Sequence, residues 1–328
     1  MKKVLKILLI AVLALSCGLS AMACTNDNSE GSTKTGLLYK KVDGVYEVYK
    51  YKDDGKGVTE LTIEIEGVTE GIRIKKNAFK DNANLKKIVV SSSVSEIQAG
   101  AFANMQALET LELPFVGRYA NADAYYKQTG SVNGEEKKAV DSERTIAHLF
   151  GTEEYAKGTT VTVKYGANTV TCYMPATLNK VVINAGDGYS IPMYAFNGAK
   201  NINTVVLNGK IDEIGESAFA DSGIKEIAIP QTVTTIYKNA FANSSIKQVK
   251  LSDGAQIALK EDAFSGCKSL SFVGSGEVKA NTIDLAFFTE IGANAFNTQK
   301  DVAEDLVKHY DILNQGTFDI ESIFGIEA

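Results

Sequence analysis

Hydrophobic and polar positions alternate in short bursts along most of the chain, and the bursts recur. Six runs share the form apolar-x-x-apolar-x-apolar: Leu85/Ile88/Val90, Leu108/Leu111/Leu113, Leu178/Val181/Ile183, Ile202/Val205/Leu207, Ile224/Ile227/Ile229 and Ile246/Val249/Leu251. Such alternation, rich in β-branched residues, predicts a short strand with one face buried. A turn and a second small apolar pair follow, as in Val94/Ile97, Ile211/Ile214 or Val233/Ile236. Ala-Phe then enters the interior, and a Gly, Asn or Ser turn returns the chain to the next strand.

Aligning the Phe residues gives the period. Phe79 to Phe102, Phe196 to Phe219 and Phe241 to Phe264 are each 23 residues, and Phe219 to Phe241 is 22. Phe264 to Phe296 is one period plus nine residues, and Phe102 to Phe196 is two periods plus 48. Self-similarity at this spacing predicts a repeat solenoid. One unit cannot cover its own apolar edge, so neighbours must stack. The strands then pair in parallel about 4.8 Å apart, and the Phe rings form an internal column. A small Ala before each Phe is what the crowding between coils demands.

The stretches "LKKIVVSSSVSEIQAGAFANM", "IKEIAIPQTVTTIYKNAFANSS" and "LKEDAFSGCKSL" resemble the BspA-like family of leucine-rich repeats, over about Leu61 to Pro114 and Leu178 to Phe296. The resemblance implies a bacterial surface interaction protein, some members of the family being adhesins for host or bacterial macromolecules. The Asn that closes the strand loop in the general repeat pattern does not form a ladder here: Pro114, Asn184, Asn208, Pro230 and Ser252 stand near that point.

The expected organisation is a signal peptide (1–23), a tether (24–36), an N-terminal hairpin cap (37–60) and repeats (61–114). An insertion (115–177), further repeats (178–297) and a C-terminal helical cap (298–328) follow. The hairpin reading comes from Tyr and Val alternating around Asp-Gly turns in "GLLYKKVDGVYEVYKYKDDGKG". The helix comes from the spacing of Val302, Leu306, Val307, Tyr310 and Leu313, with Gly316 at its end. The insertion resembles one seen in related repeat proteins, a short helix and a hairpin around Gly166-Ala167-Asn168. It either carries function or serves as a lid over the repeat whose Ala-Phe is missing.

Lys2, Lys3 and Lys6 precede an apolar stretch that ends in Ala21-Met22-Ala23-Cys24. That is an export signal rather than a membrane span. It resembles a lipoprotein signal in which Cys24 becomes the lipidated first residue, so the chain would be tethered to the outer face of a bacterial membrane. Ala21 stands where such boxes usually have Leu, and Ala21-x-Ala23 also suits ordinary secretion. Of the remaining cysteines, Cys172 and Cys267 fall in different modules and are expected as free thiols.

Formal net charge is −6, or −9 without the three Lys of the first 23 residues. A mildly acidic surface lacks the basic footprint of nucleic-acid binding. Two His leave little for metal or acid–base chemistry, and His309 in the expected C-terminal helix reads as packed or solvated. His148 with Cys172 is a conceivable base and nucleophile, though no motif supports the pair. No metal, phosphate-loop or hydrolase motif stands in the sequence, so no cofactor is expected and the chain reads as non-catalytic. The alternative is a carbohydrate-active or peptidase-type enzyme with its site in the insertion. The candidate binding face is the outward row of the strands: Lys87/Val89, Thr110/Glu112, Lys180/Val182, Thr204/Val206, Glu226/Ala228 and Gln248/Lys250. Tyr119, Tyr125 and Tyr126 are candidate contacts in the insertion. The expected partner is an extracellular protein or glycan, bound by a monomer.

Overall fold

Each apolar-x-x-apolar-x-apolar run places its last four residues in a parallel sheet. The structure, a computed structural model, describes residues 29–53, 55, 57–120, 141–165, 168–279, 281–298 and 319–325. The sheet has nine strands in sequence order: Glu60–Ile63, Lys87–Val90, Thr110–Leu113, Lys180–Asn184, Thr204–Asn208, Glu226–Ile229, Gln248–Leu251, Phe272–Gly274 and Thr282–Ile283. The insertion does not interrupt it, because Thr110–Leu113 pairs directly with Lys180–Ile183. The nine extra residues between Phe264 and Phe296 supply its last strand, Thr282–Ile283.

The second apolar pair of each unit builds a second sheet, and this one is broken at the insertion. Its N-terminal part holds Glu30–Ser32, Leu37–Val42, Val45–Tyr51, Ile72–Ile74 and Val94–Ile97. Its C-terminal part holds Tyr189–Ile191, Ile211–Ile214, Thr235–Ile236, Ile257–Leu259 and Phe288–Ile291. Leu37–Val42 and Val45–Tyr51 form the antiparallel N-terminal hairpin, which joins the repeats through parallel pairing with Ile72–Ile74. The tether expected over 24–36 is shorter than its composition suggests. Glu30–Ser32 pairs with Leu38–Lys40, because an edge strand of a hairpin offers unpaired backbone groups that even a polar segment can satisfy.

In this second sheet, the residue four places before each Phe donates its amide to the preceding coil. Lys75, Gln98, Gly215, Tyr237, Lys260 and Gly292 bond Val48, Ile74, Ile191, Ile214, Ile236 and Leu259 at 2.8–2.9 Å. The corresponding residue of the first coil after the break is Pro192, which has no amide hydrogen.

The Phe rings stack along the axis. Phe196, Phe219, Phe241, Phe264 and Phe296 lie 4.9–5.4 Å apart and within 4–7° of parallel. Each is fully buried. Two conformational positions make the bend possible: from Phe79 to Phe264 of the Ala-Phe series, the residues two before and two after Phe lie in the left-handed region. Asn239 (φ 55°) and Asn243 (φ 57°) flank Phe241, and Asn77 (φ 64°) and Asp81 (φ 64°) flank Phe79. Asn and Asp tolerate that conformation better than most residues, which explains the polar residues around each Ala-Phe.

Three rungs of the column come from outside the Ala-Phe pattern. Tyr51 of the hairpin stacks on Phe79 at 5.9 Å. Phe150 of the insertion follows Phe102 at 6.3 Å. Phe324, in a short helix (Ile320–Phe324), packs on Phe296 at 5.8 Å and closes the C-terminal end. Asp319 caps this helix through its side chain, and Gly325 ends it in the left-handed conformation. The helix expected from Val302 to Leu313, with His309, lies outside the described residues, as do the signal segment and Cys24.

Phe150 decides between the two readings of the insertion at its core. Ile146–Leu149 is a buried 3-10 turn. Gly100 donates to His148 O at 3.0 Å and Phe102 to Leu149 O at 3.0 Å. Ordinary coils make these same bonds, as between Asn77 and Gly100 or Phe79 and Ala101. The insertion therefore supplies the missing aromatic rung. Further along the insertion, Gly158–Tyr165 pairs antiparallel with Asn168–Pro175, and Val161, Val163, Cys172 and Met174 are buried.

Candidate functional site

Parallel pairing in register carries outward positions into rows. Lys87, Thr110, Lys180, Thr204, Glu226 and Gln248 lie in one row, and Val89, Glu112, Val182 and Val206 in the next, with Ala228 beside Lys250. Lys180, Glu226, Ala228 and Lys250 are exposed, and Thr204, Val206 and Gln248 are half-buried. Val182 departs from its expected place on this face: it is 7% exposed. Its register neighbours Glu112 and Val206 stand on either side, and a short β-branched side chain in a strand paired along both edges offers little surface. Asn184 and Asn208 extend the face, Asn208 Nδ2 donating to Asn184 Oδ1 at 2.8 Å.

The break in the second sheet creates a cleft of about 710 Å³. Tyr119, Arg118 and Val116 line one side, and Asp187, Tyr189 and Ser190 the other. Tyr119 makes an antiparallel bridge to Glu96. Its ring lies 4.8 Å from the Arg118 guanidinium, a cation–π distance. Tyr125 and Tyr126 lie outside the described residues. Tyr189 is committed to the fold, since its hydroxyl accepts from Val116 N–H at 2.8 Å and burial drives its phenol well above the usual range.

An alternating ladder of charges runs across the outer side of the N-terminal part of this sheet. Arg73 Nη1 donates to Glu47 at 2.9 Å and Arg73 Nε donates to Glu96. Arg118 reaches Glu96 at 3.0 Å and Glu143 at 2.8 Å. Glu47 and Glu96 are nearly covered, at 5% and 4% exposure. Burial pushes the Glu47 carboxyl up, but bonds from Arg73 and Lys75 outweigh it and hold the group below the usual carboxylate range. Burial works against Arg118 as well, and Glu96 and Glu143 more than compensate. Sequence reading passed over this ladder. Its signal was the 22–23 residue spacing of Arg73, Glu96 and Arg118, which is the repeat period itself.

His148 and Cys172, far apart in sequence, line one pocket. Burial, then Arg118, drives His148 down to about 4, and burial drives Cys172 up to about 11. At neutral pH both are uncharged. A cysteine nucleophile acts as thiolate, so the pair has the wrong protonation for that chemistry. Cys172 and Cys267 are both buried and stand outside any disulfide. Cys267 donates from Sγ to Phe241 O at 2.9 Å, a structural bond between coils. No group of three metal-ligating side chains occurs among the described residues.

A model of the BspA-type leucine-rich repeat region matches in six copies over residues 59–132 and 170–303. The chain belongs to the BspA-type leucine-rich repeat family. Proteins of this family are typically bacterial surface proteins built around repeat-based binding modules, generally without catalysis. A T. pallidum leucine-rich repeat protein is similar in structure at 14% identity and TM-score 0.39, the match covering 89% of this chain and 95% of that one. A leucine-rich cell surface protein from Faecalibacterium prausnitzii A2-165 is similar at 13% identity and TM-score 0.35, covering 77% of this chain and 56% of the other. No curated protein matches the chain.

Proposed function

We propose that this BspA-type chain is an exported, membrane-tethered, non-catalytic module that binds an extracellular protein or glycan through the outward face of the nine-strand sheet. The observation that carries the reading is the continuity of that sheet past the insertion, which aligns side chains from both halves on one rigid surface. Charged residues rim the small apolar positions Val206 and Ala228, a mixture suited to macromolecular recognition. Cys24 would carry the lipid, and the module would act as a monomer.

The test uses the chain without its first 23 residues, applied to immobilised matrix proteins, mucin and cell-wall glycans. Retention by one of these is expected, lost in Val206→Glu and Ala228→Glu while the melting temperature holds. Retention indifferent to both substitutions would reject this face. Tyr119, with its ring against Arg118 in the cleft, favours a second contact region; loss of retention in Tyr119→Ala alone would move the site there.

A further inference from the structure

The cleft at the break in the second sheet is the place of a missing strand. In the coils on either side, Lys87–Val90 leads to Val94–Ile97 and Lys180–Asn184 leads to Tyr189–Ile191. Thr110–Leu113, between them, leads to no strand of that sheet. Gly117 turns the chain aside instead. Its φ is 87°, and a Cβ there would meet Glu143 O at 2.5 Å, a turn that only glycine tolerates. The backbone of Arg118 to Ala120 then bonds back along Val94–Ile97, and about 710 Å³ is left open. Both walls are pinned: Arg118 N–H donates to Glu143 O at 2.8 Å, and Val116 N–H donates to the Tyr189 hydroxyl opposite at 2.8 Å. A ligand would meet a cleft already shaped, which lowers the cost of binding.

Three observations select the occupant. The lining carries Arg118 and Arg144 against Glu143 and Asp187, so its charge is balanced. Arg118 is paired with Glu96 and Glu143, and Asp187 with Lys210 at 2.9 Å; a charged ligand would lose water there without gaining a counter-charge. A peptide strand finds no good edge to join. Val94–Ile97 already bonds the neighbouring backbone, at 2.8 Å from Ile97 N–H to Arg118 O and 3.1 Å from Ala120 N–H to Ser95 O. Pro192, on the far wall, has no amide hydrogen. What the walls do offer is neutral: the hydroxyls of exposed Ser92 and half-buried Ser190, each able to donate and accept. Beside them stand the half-buried side chains of Tyr119, Pro114 and Pro192.

The geometry points to a binding site for a neutral oligosaccharide, the C–H face of one sugar on the Tyr119 ring and sugar hydroxyls on Ser190 and Ser92. The face of an aromatic ring is its negative part, and the C–H groups of a pyranose are weakly positive. A cavity of this volume falls in the range that covers most of a small ligand, here roughly two or three sugar units. The site belongs to the second sheet, adjoins the face of the nine-strand sheet only at Asn184, and stands or falls independently of the reading of that face.

The probes are cellotriose, mannotriose, N-acetyllactosamine and diacetylchitobiose, each beside its own form oxidised at a primary alcohol to a uronic acid, titrated calorimetrically into the full chain. At least one neutral probe is expected to bind, and its oxidised form to bind roughly tenfold more weakly or worse. Ser190→Ala is expected to weaken the neutral sugar by about three- to tenfold, the range of one neutral hydrogen bond, and Tyr119→Ala to abolish its binding. Val206→Glu should leave it unchanged, which separates this cleft from the strand face; binding lost in that variant would assign the sugar to the strand face and overturn the proposal. Saturating sugar is also expected to slow nitration of Tyr119, read by mass spectrometry on its peptide, a measurement that needs no variant. Tryptic peptides of casein, run in parallel, are expected not to bind; peptide binding abolished by Tyr119→Ala would hand the cleft to a protein segment. Binding of no neutral probe would overturn the proposal, as would oxidised forms that bind equally well, affinity unchanged in both Ser190→Ala and Tyr119→Ala, or nitration indifferent to the sugar.

Discussion

The amide of Phe102 donates to the carbonyl of Leu149 at 3.0 Å, the bond by which one repeat holds the next, although Leu149 belongs to no repeat. The insertion is thus structural at its core. Phe150→Ala is expected to cost about 3–5 kcal/mol, as is Phe219→Ala, because each empties a ring-sized space in a packed column. Lys225→Ala, on an exposed side chain, should stay within about 0.5 kcal/mol. Chemical denaturation of the three variants checks the register; a mild Phe150→Ala would mean that the insertion does not share the interior.

Glu96 holds two arginines at once and is nearly covered. Glu96→Gln is expected to destabilise by roughly 1.5–3 kcal/mol, the range for hydrogen bonds to charged groups. Glu261 pairs with Lys238 at 2.9 Å on open surface, and Glu261→Gln should cost under about 1 kcal/mol. Urea titrations of both variants provide the comparison.

His148 makes stability depend on mild acid. Its folded value of about 4 lies below the ordinary 6.5, so the unfolded chain takes up the proton first. The stabilisation is complete above about pH 6.5 and is lost as pH falls toward 4, amounting to an order of 3 kcal/mol. Arg118 opposes protonation; Glu143, Glu153, Lys76 and Cys172 are the other ionisable groups lining the pocket. Melting temperatures between pH 4 and 7 should fall less steeply in His148→Phe than in the parent chain.

Lipidation is tested directly in cells. Radiolabelled palmitate is expected to enter the parent chain and not Cys24→Ala, whose product should appear in the medium. Label retained in the variant would shift the anchor elsewhere.

Much of the fold was legible because the repeat writes its interior positions in phase: Phe79, Phe102, Phe196, Phe219, Phe241, Phe264 and Phe296 could be aligned by eye, and their buried neighbours with them. Tyr51, Phe150 and Phe324 escaped because no Ala precedes them. At those rungs the neighbour is a hairpin, an insertion or a chain end, and the crowding that selects Ala is relaxed. The charge ladder escaped for a different reason. Glu47, Arg73, Glu96 and Arg118 look like ordinary surface residues one at a time, and only the stacking of coils brings them within bonding distance. The shape of the cleft at Tyr119 was out of reach, since it depends on a strand that one coil omits and its neighbours keep.

Pro192 sits where its counterparts in neighbouring coils each offer an amide to the strand before. Among the described residues, Tyr189–Ile191 has a strand on one side only. A complete row of donors there would be a docking template for any loose segment from another molecule, a hazard for proteins crowded on a surface. The imino acid disarms one rung of that template. Exchanging Pro192 for alanine would restore the missing rung.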